Sequence, residues 1–239
     1  MKKYFIFLLL AFAAVVPSAA QDAKAEIRAM HEAYGKASSY SMQIETRIYR
    51  GLADATPFQT FKGKALKSGV NYYSEMLGRT TLVNSKCCLL IDNSQKVLIY
   101  SEQEQKKEAA KAQFEVLPDS VLFEDSEVKT VSKTAQAHVI ELLCKMHPTY
   151  EKVELTIDPR SHAMTRVRYF YRTVNGRQPV YALVDIVYSQ VQLNVQLAAS
   201  LFSEKQFVTV TKTTVQPVAA FSAFQVVDQR QYSLPGTRR

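Results

Sequence analysis

Residues 71–100 read NYYSEMLGRTTLVNSKCCLLIDNSQKVLIY. Short runs rich in aromatic, β-branched and aliphatic residues, at about 71–77, 80–83, 87–91 and 96–100, are cut by Gly78-Arg79, Asn84-Ser85 and Asp92-Asn93-Ser94. Such clusters form turns because glycine accepts left-handed backbone and the short polar side chains bond to their own main chain. The gaps are only a few residues long, and a parallel crossover needs a dozen or more. The stretch therefore predicts a meander of antiparallel hairpins, and this reading governs the rest of the chain.

The same stretch carries Cys87 and Cys88. Adjacent side chains on a strand point to opposite faces, so the two thiols cannot serve one site on a regular strand. Their flanks are Leu89, Leu90 and Ile91, with only Lys86 nearby to stabilise a thiolate, which favours inert core cysteines. The remaining cysteine, Cys144, leaves a bridge to Cys87 or Cys88 open, since the setting read below permits disulfides. The odd count then leaves one thiol unpaired in a monomer.

Upstream, Lys2 and Lys3 precede the apolar run Tyr4–Val16, Pro17 and the small residues Ser18-Ala19-Ala20. This is the pattern of a secretory signal peptide over residues 1–20, cleaved between Ala20 and Gln21. Residues 21–239 then read as a single domain in the periplasm, or secreted. Ile27, Met30, Tyr34 and Ala37 recur at spacings of three and four, which makes residues 22–37 an amphipathic helix with Asp22 as its N-cap. From Tyr40 the period becomes two: Tyr40, Met42, Ile44, Thr46 and Ile48 alternate with polar residues, as in a half-buried strand.

A further strand is expected at about 58–67. Residues 102–116, EQEQKKEAAKAQFEV, are helix formers with little apolar surface, and Pro118-Asp119-Ser120 opens the apolar group Val121, Leu122 and Phe123. Strands are expected again at about 127–133, 137–144, 151–157, 164–173, 180–188, 206–216 and 224–232. The fold class is α+β: a long antiparallel sheet that must curl, forming an incomplete β-barrel wrapped around the N-terminal helix, with a lid-like helical segment.

The formal charge of +8 is spread rather than blocked, without the concentrated basic face that nucleic-acid binding needs. No His/Cys pair recurs at zinc-ligand spacing, and no serine, histidine and acid stand in a catalytic context. No catalytic residue, metal site or cofactor is expected, and the chain does not read as an enzyme. In MTRVRYFYRT, Arg166, Arg168 and Arg172 share one strand face with Phe170, while Val167, Tyr169 and Tyr171 take the other. The arginines read either as a solvated outer face or as a basic stripe for anionic head groups or an acidic partner.

The order of signal peptide, helix, hairpin meander, lid-like segment and further strands resembles the periplasmic lipoprotein carriers, the LolA-like and LolB-like superfamily. GKALKSGVNYYSE followed by TTLVNSKCCLLIDNSQKVLIYS resembles that family's small-residue strand, basic turn, aromatic strand and strand pair. VELTIDPRSHAMTRVRYFYR resembles its later hairpin. The resemblance implies an open barrel with helices over its open side, and a soluble carrier of a lipid acyl chain or an acylated protein in lipoprotein transport to the outer membrane. The family's lid-latching arginine is replaced here by Lys67, which lacks the planar fork of a guanidinium.

The expected pocket wall comprises Met42, Ile44, Tyr73, Leu90, Ile99, Val121, Leu122, Phe123, Tyr169 and Tyr171. Lys67, Arg166, Arg168 and Arg172 are the expected contacts to head groups or to an envelope protein partner, including peripheral contact with a membrane. The alternative is a non-enzymatic envelope module with a packed interior that docks a protein partner.

Overall fold

The computed structural model describes residues 19–102, 126–173 and 180–232. Its helix, α1 (Ala19–Lys36), turns the stripe Ala23, Ile27, Met30 and Tyr34 into buried core. It starts earlier than the sequence reading put it, so Asp22 lies in the first turn and bonds Lys133 at 3.2 Å.

The strands are β1 (Ser39–Tyr49), β2 (Gln59–Ser68), β3 (Asn71–Met76), β4 (Arg79–Val83), β5 (Cys87–Asp92), β6 (Val97–Glu102), β7 (Glu127–Lys133), β8 (His138–Leu143), β9 (Tyr150–Ile157), β10 (Met164–Tyr171), β11 (Leu183–Leu193), β12 (Val208–Val210), β13 (Val215–Pro217) and β14 (Gln225–Asp228). The main sheet is curled and open, in the order β14-β6-β5-β4-β3-β2-β1-β11-β10-β9-β8-β7. Two meanders, β1–β6 and β7–β11, thus join where β1 pairs with β11. At Gly63 on β2 a Cβ would stand 1.9 Å from the Glu75 carbonyl oxygen, so glycine is what lets β2 and β3 approach there.

Two expectations change at the C-terminus. The strand expected over 206–216 is broken into β12 and β13, a separate two-stranded sheet, because Thr211 and Thr214 close a tight turn with hydrogen bonds of their own. β14 is short and pairs parallel with β6, the exception in an otherwise antiparallel sheet. The long return across the sheet after β11 permits that direction. Val121, Leu122 and Phe123, with the rest of the lid-like segment, lie outside the described residues.

Two apolar layers cover opposite faces of the one sheet. The stripe of α1 packs on Met42, Ile44 and Ala65 and on Val128, Ile140, Leu142, Val153, Leu155, Val167 and Tyr188. That cluster occupies the β1, β2 and β7–β11 part of what is here called the helix face. On the reverse face, Leu66, Tyr73, Leu82, Leu89, Ile91, Leu98 and Tyr100 are covered by Phe202, Phe207, Val208 and Val215, with Phe221, Phe224 and Val226 at the margin. Each of these buried side chains contributes about 1.5–3 kcal/mol relative to exposure. Asn84 fastens the second layer down: its amide nitrogen donates to Phe202 O at 3.0 Å and to Glu204 Oε2 at 2.9 Å. Its oxygen accepts from the Lys86 and Cys87 amides.

Candidate ligand-binding face

Paired residues on neighbouring strands share a face, so the register defines what the helix face is made of. One row runs Met42, Ala65, Ser74, Thr81, Leu90 and Ile99 across β1 to β6. A second runs Tyr40, Lys67, Tyr72, Val83, Cys88 and Ser101. Met42 and Ala65 are sealed in the α1 core, and Tyr72 packs at its margin. Beyond them this face belongs to neither apolar cluster of the described residues. There Val83 and Cys88 are buried, Leu90 and Ile99 are half-buried, and the hydroxyls of Ser74, Thr81 and Ser101 are buried beside them. Ser101 Oγ donates to Cys88 O at 3.3 Å, which accounts for its proton deep in the face.

Of the expected wall residues, Met42, Ile44, Leu90, Ile99, Tyr169 and Tyr171 lie on the helix face. Met42 and Ile44 are in the core under α1, and Tyr169 packs against it. Tyr171 meets the rings of Tyr150 and Tyr181 with centroids 5.1 and 5.0 Å away. Tyr73 lies on the reverse face instead. Its ring stacks on Phe207, centroids 6.4 Å apart, and its hydroxyl bonds to Glu75. The reason is the period of two: the register that aims Leu82 and Leu89 at the C-terminal layer aims Tyr73 there as well, and turns Tyr72 toward α1.

Lys67 is on the helix face, its Nζ 5.9 Å from the centre of the Tyr40 ring. Arg166 and Arg168 are on the reverse face with Phe170, Arg172 lies just past the end of β10, and each has partners. Arg166 grips Asp185 with two bonds of 2.7 Å, and Asp185 is 1% exposed. Arg168 donates to Glu154 at 2.9 Å and lies 5.0 Å over the Phe170 ring. Arg172 closes the β8–β9 turn by donating to the carbonyls of Cys144 at 2.6 Å and His147 at 3.3 Å.

The charges continue across the strands in alternation: Glu154 to Lys152 at 2.9 Å, Lys152 to Glu141 at 3.4 Å, Glu141 to Lys129 at 2.7 Å. Burial works to raise the Glu141 carboxyl, but Lys129 and Lys152 together hold it below the ordinary value. The arginine stripe is thus an internally compensated ionic row.

Cys87 faces the C-terminal layer and Cys88 the helix face, while Cys144 lies in the α1 core; none forms a disulfide. Burial, then the nearby Glu204 and Cys88, push the Cys87 thiol up to about 12, which makes it unreactive.

One cluster was invisible in the sequence. Glu26 on α1 reaches His138 Nδ1 at 3.3 Å and His162 Nδ1 at 3.1 Å, pinning the helix to β8 and to the β9–β10 turn. These residues are over a hundred positions apart, with no local pattern to link them. Among the described residues no group of three or more His, Cys, Asp or Glu is placed to hold a metal ion, and no helix is long and apolar enough to cross a membrane.

No family model matches the chain, and no curated protein matches its sequence. Solved structures do match. An uncharacterized conserved protein from Thermus thermophilus superposes with a TM-score of 0.50 at 12% identity, over 87% of this chain and 99% of that one. That likeness shows a common fold. A LolA superfamily protein, NE2245 from Nitrosomonas europaea, matches with a TM-score of 0.34 at 14% identity, over 77% of this chain and 98% of that one. The lipoprotein LppX of Mycobacterium tuberculosis matches with 0.39 at 11% identity, over 73% and 96%.

Proposed function

We propose that this is an exported, non-enzymatic binding protein that holds a lipid acyl chain or a comparable apolar moiety against the helix face of β3–β6. The observation that carries the reading is the half-buried pair Leu90 and Ile99, which share a row with Met42 and Ala65 yet belong to neither apolar cluster of the described residues. An acyl chain laid there gains about 0.8 kcal/mol for each CH₂ removed from water, so useful affinity needs no catalytic group. The hydroxyls of Ser74 and Thr81 sit in the same row as Leu90 and suit the polar end of an ester or amide. Lys67 would face an anionic head group from the adjoining row. Carriage of a lipid or lipoprotein through the periplasm follows from this reading together with residues 1–20 as a signal peptide.

The test is native mass spectrometry after gentle purification from the envelope fraction. The reading expects a bound mass of lipid size that dissociates on activation, and its loss from an Ile99→Asp variant that still folds. A mass equal to the bare chain under every condition would overturn it. A second reading, a docking module with a packed interior, draws support from Met42 and Ile44, which are sealed beneath α1. It expects the bare mass together with a protein captured in stoichiometric amount.

A further inference from the structure

Successive turns of an antiparallel sheet alternate between the two ends of its strands. The β1–β2, β3–β4, β5–β6, β8–β9 and β10–β11 connections therefore share one end of the curled sheet. Tyr49 pairs with Leu183 and Tyr171 with Tyr150, which sets the β1–β2, β10–β11 and β8–β9 connections side by side. Leu52, Phe58, Met76, Leu77, Met146 and Val180 stand exposed at this end, Met146 at 86% and Val180 at 83%. Among the described turns at the opposite end, Val70 alone is a large apolar residue left exposed. Single exposed apolar residues are ordinary on a protein surface; their collection on the turns of one end is not.

Behind these tips runs a chain of half-buried rings. His147 stacks on Tyr150 with centroids 4.7 Å apart, Tyr150 meets Tyr171 at 5.1 Å, and Tyr171 meets Tyr181 at 5.0 Å. Tyrosine has an apolar body and a polar tip, and it favours the head-group level of a bilayer. Arg50 lies 3.7 Å over the centre of the Phe58 ring and has no ion pair among the described residues. The described turn residues carry Arg50, Lys96, Lys145 and Arg172 against one acid, Asp54, whose carboxylate accepts from the Gly51 amide at 2.8 Å. Of the acids at the adjoining strand ends, Glu127 pairs with Lys145 and Asp92 with Arg79, while Glu151 has no ion pair among the described residues.

We propose that this end of the sheet docks on a phospholipid bilayer that contains anionic lipid. Leu52, Phe58, Met146 and Val180 enter the head-group region, and the tyrosine chain rests at its level. The shape of the surface selects this occupant. The apolar side chains stand singly on separate turns, so a rigid protein, or a second copy of this chain, needs a matched socket for each, whereas a fluid bilayer yields to them all. The chemistry points the same way: aliphatic tips, a phenol band and a guanidinium over a ring suit a boundary with hydrocarbon on one side and phosphate on the other. Docking of this kind does not depend on a ligand at the β3–β6 face.

The test is flotation of the chain, purified from the envelope fraction, with vesicles of equal parts phosphatidylethanolamine and phosphatidylglycerol, alongside vesicles of phosphatidylcholine. The expected result is co-flotation with the anionic vesicles and binding at least tenfold weaker on phosphatidylcholine. The anionic vesicles should slow amide exchange in residues 50–58 and 144–149 and leave residues 134–137 and 158–163, at the opposite end, unchanged. Leu52→Asp with Phe58→Asp, and separately Met146→Asp with Val180→Asp, should each weaken flotation at least tenfold, while Val70→Asp should not change it. No flotation, flotation that both pairs of substitutions leave intact, equal binding to both kinds of vesicle, or slowed exchange at the opposite end would each overturn the proposal. Self-association that the same substitutions abolish, without flotation, would assign this end to a second copy and overturn it too. Should the Leu52 and Phe58 pair fail to fold, the more exposed Met146 and Val180 pair decides alone.

Discussion

Tyr72 and Tyr73 are neighbours in the chain and belong to opposite layers of the molecule. Tyr72 packs at the margin of the α1 core, while the ring of Tyr73 stacks on Phe207 with centroids 6.4 Å apart. That single alternation divides the sheet into a helix face and a reverse face closed by the C-terminal segment.

Phe207 is buried between Tyr73 and Phe221 and anchors the reverse layer. Phe207→Ala should cost about 3–5 kcal/mol of stability, read as a fall in the urea midpoint. Leu201→Ala, on the exposed side of the turn that precedes it, should change stability by less than about 1 kcal/mol.

Arg166 and Asp185 are not equal partners, since Asp185 is almost fully buried and the Arg166 side chain is 42% exposed. Arg166→Ala leaves a buried carboxylate with only Arg47, 4.0 Å away, to compensate it among the described residues. We expect a loss of about 3 kcal/mol, against less than about 1 kcal/mol for Lys145→Ala, whose pair with Glu127 is exposed on both sides. Chemical denaturation of the two variants checks the contrast.

Asp92 closes the β5–β6 turn. The Ser94 hydroxyl first, then the Gln95 amide, with Arg79 adding to them, hold its carboxyl down from 3.8 to about 2. A depressed folded-state value means that this contribution is present above the unfolded value and is lost as pH falls through the folded one. The Asp92→Asn variant should therefore show a flatter dependence of stability on pH between about 4 and 2 than the parent, measured by thermal melts across that window.

All three thiols are buried, and Cys87 titrates at about 12. Iodoacetamide at pH 8 should leave the folded chain unmodified within an hour and should alkylate all three cysteines in 8 M urea without reductant. Modification of a single thiol in urea, with the other two inert until reduced, would reveal a disulfide.

Local periodicity made much of the fold legible. The alternation from Tyr40 to Ile48 and the stripe from Ile27 to Tyr34 set the helix and the first strand, and the polar clusters at 84–85 and 92–94 set the hairpins. Which face each strand residue takes was legible only where one strand was apolar on alternate positions. In NYYSEM the tyrosines are adjacent, so the sequence alone does not choose between Tyr72 and Tyr73. In CCLLI every position is apolar, so alternation assigns no face there, and only Leu90 of that run is left half-buried. The covering role of the C-terminal segment escaped because its elements are short and separate, so no sustained period ties Phe202, Phe207 and Val215 to one layer. The partners of the arginine stripe escaped because Asp185 and Glu154 come from other strands.

The central claim is that the helix face of β3–β6 takes an apolar chain. Titration with a dansylated eleven-carbon fatty acid tests it directly by emission shift. The account predicts a saturable blue shift, abolished by Leu90→Asp or Ile99→Asp and kept by Met146→Asp on the exposed β8–β9 turn. A titration without saturation, or one that the Leu90 and Ile99 variants leave untouched while their melting curves stay two-state, would contradict it.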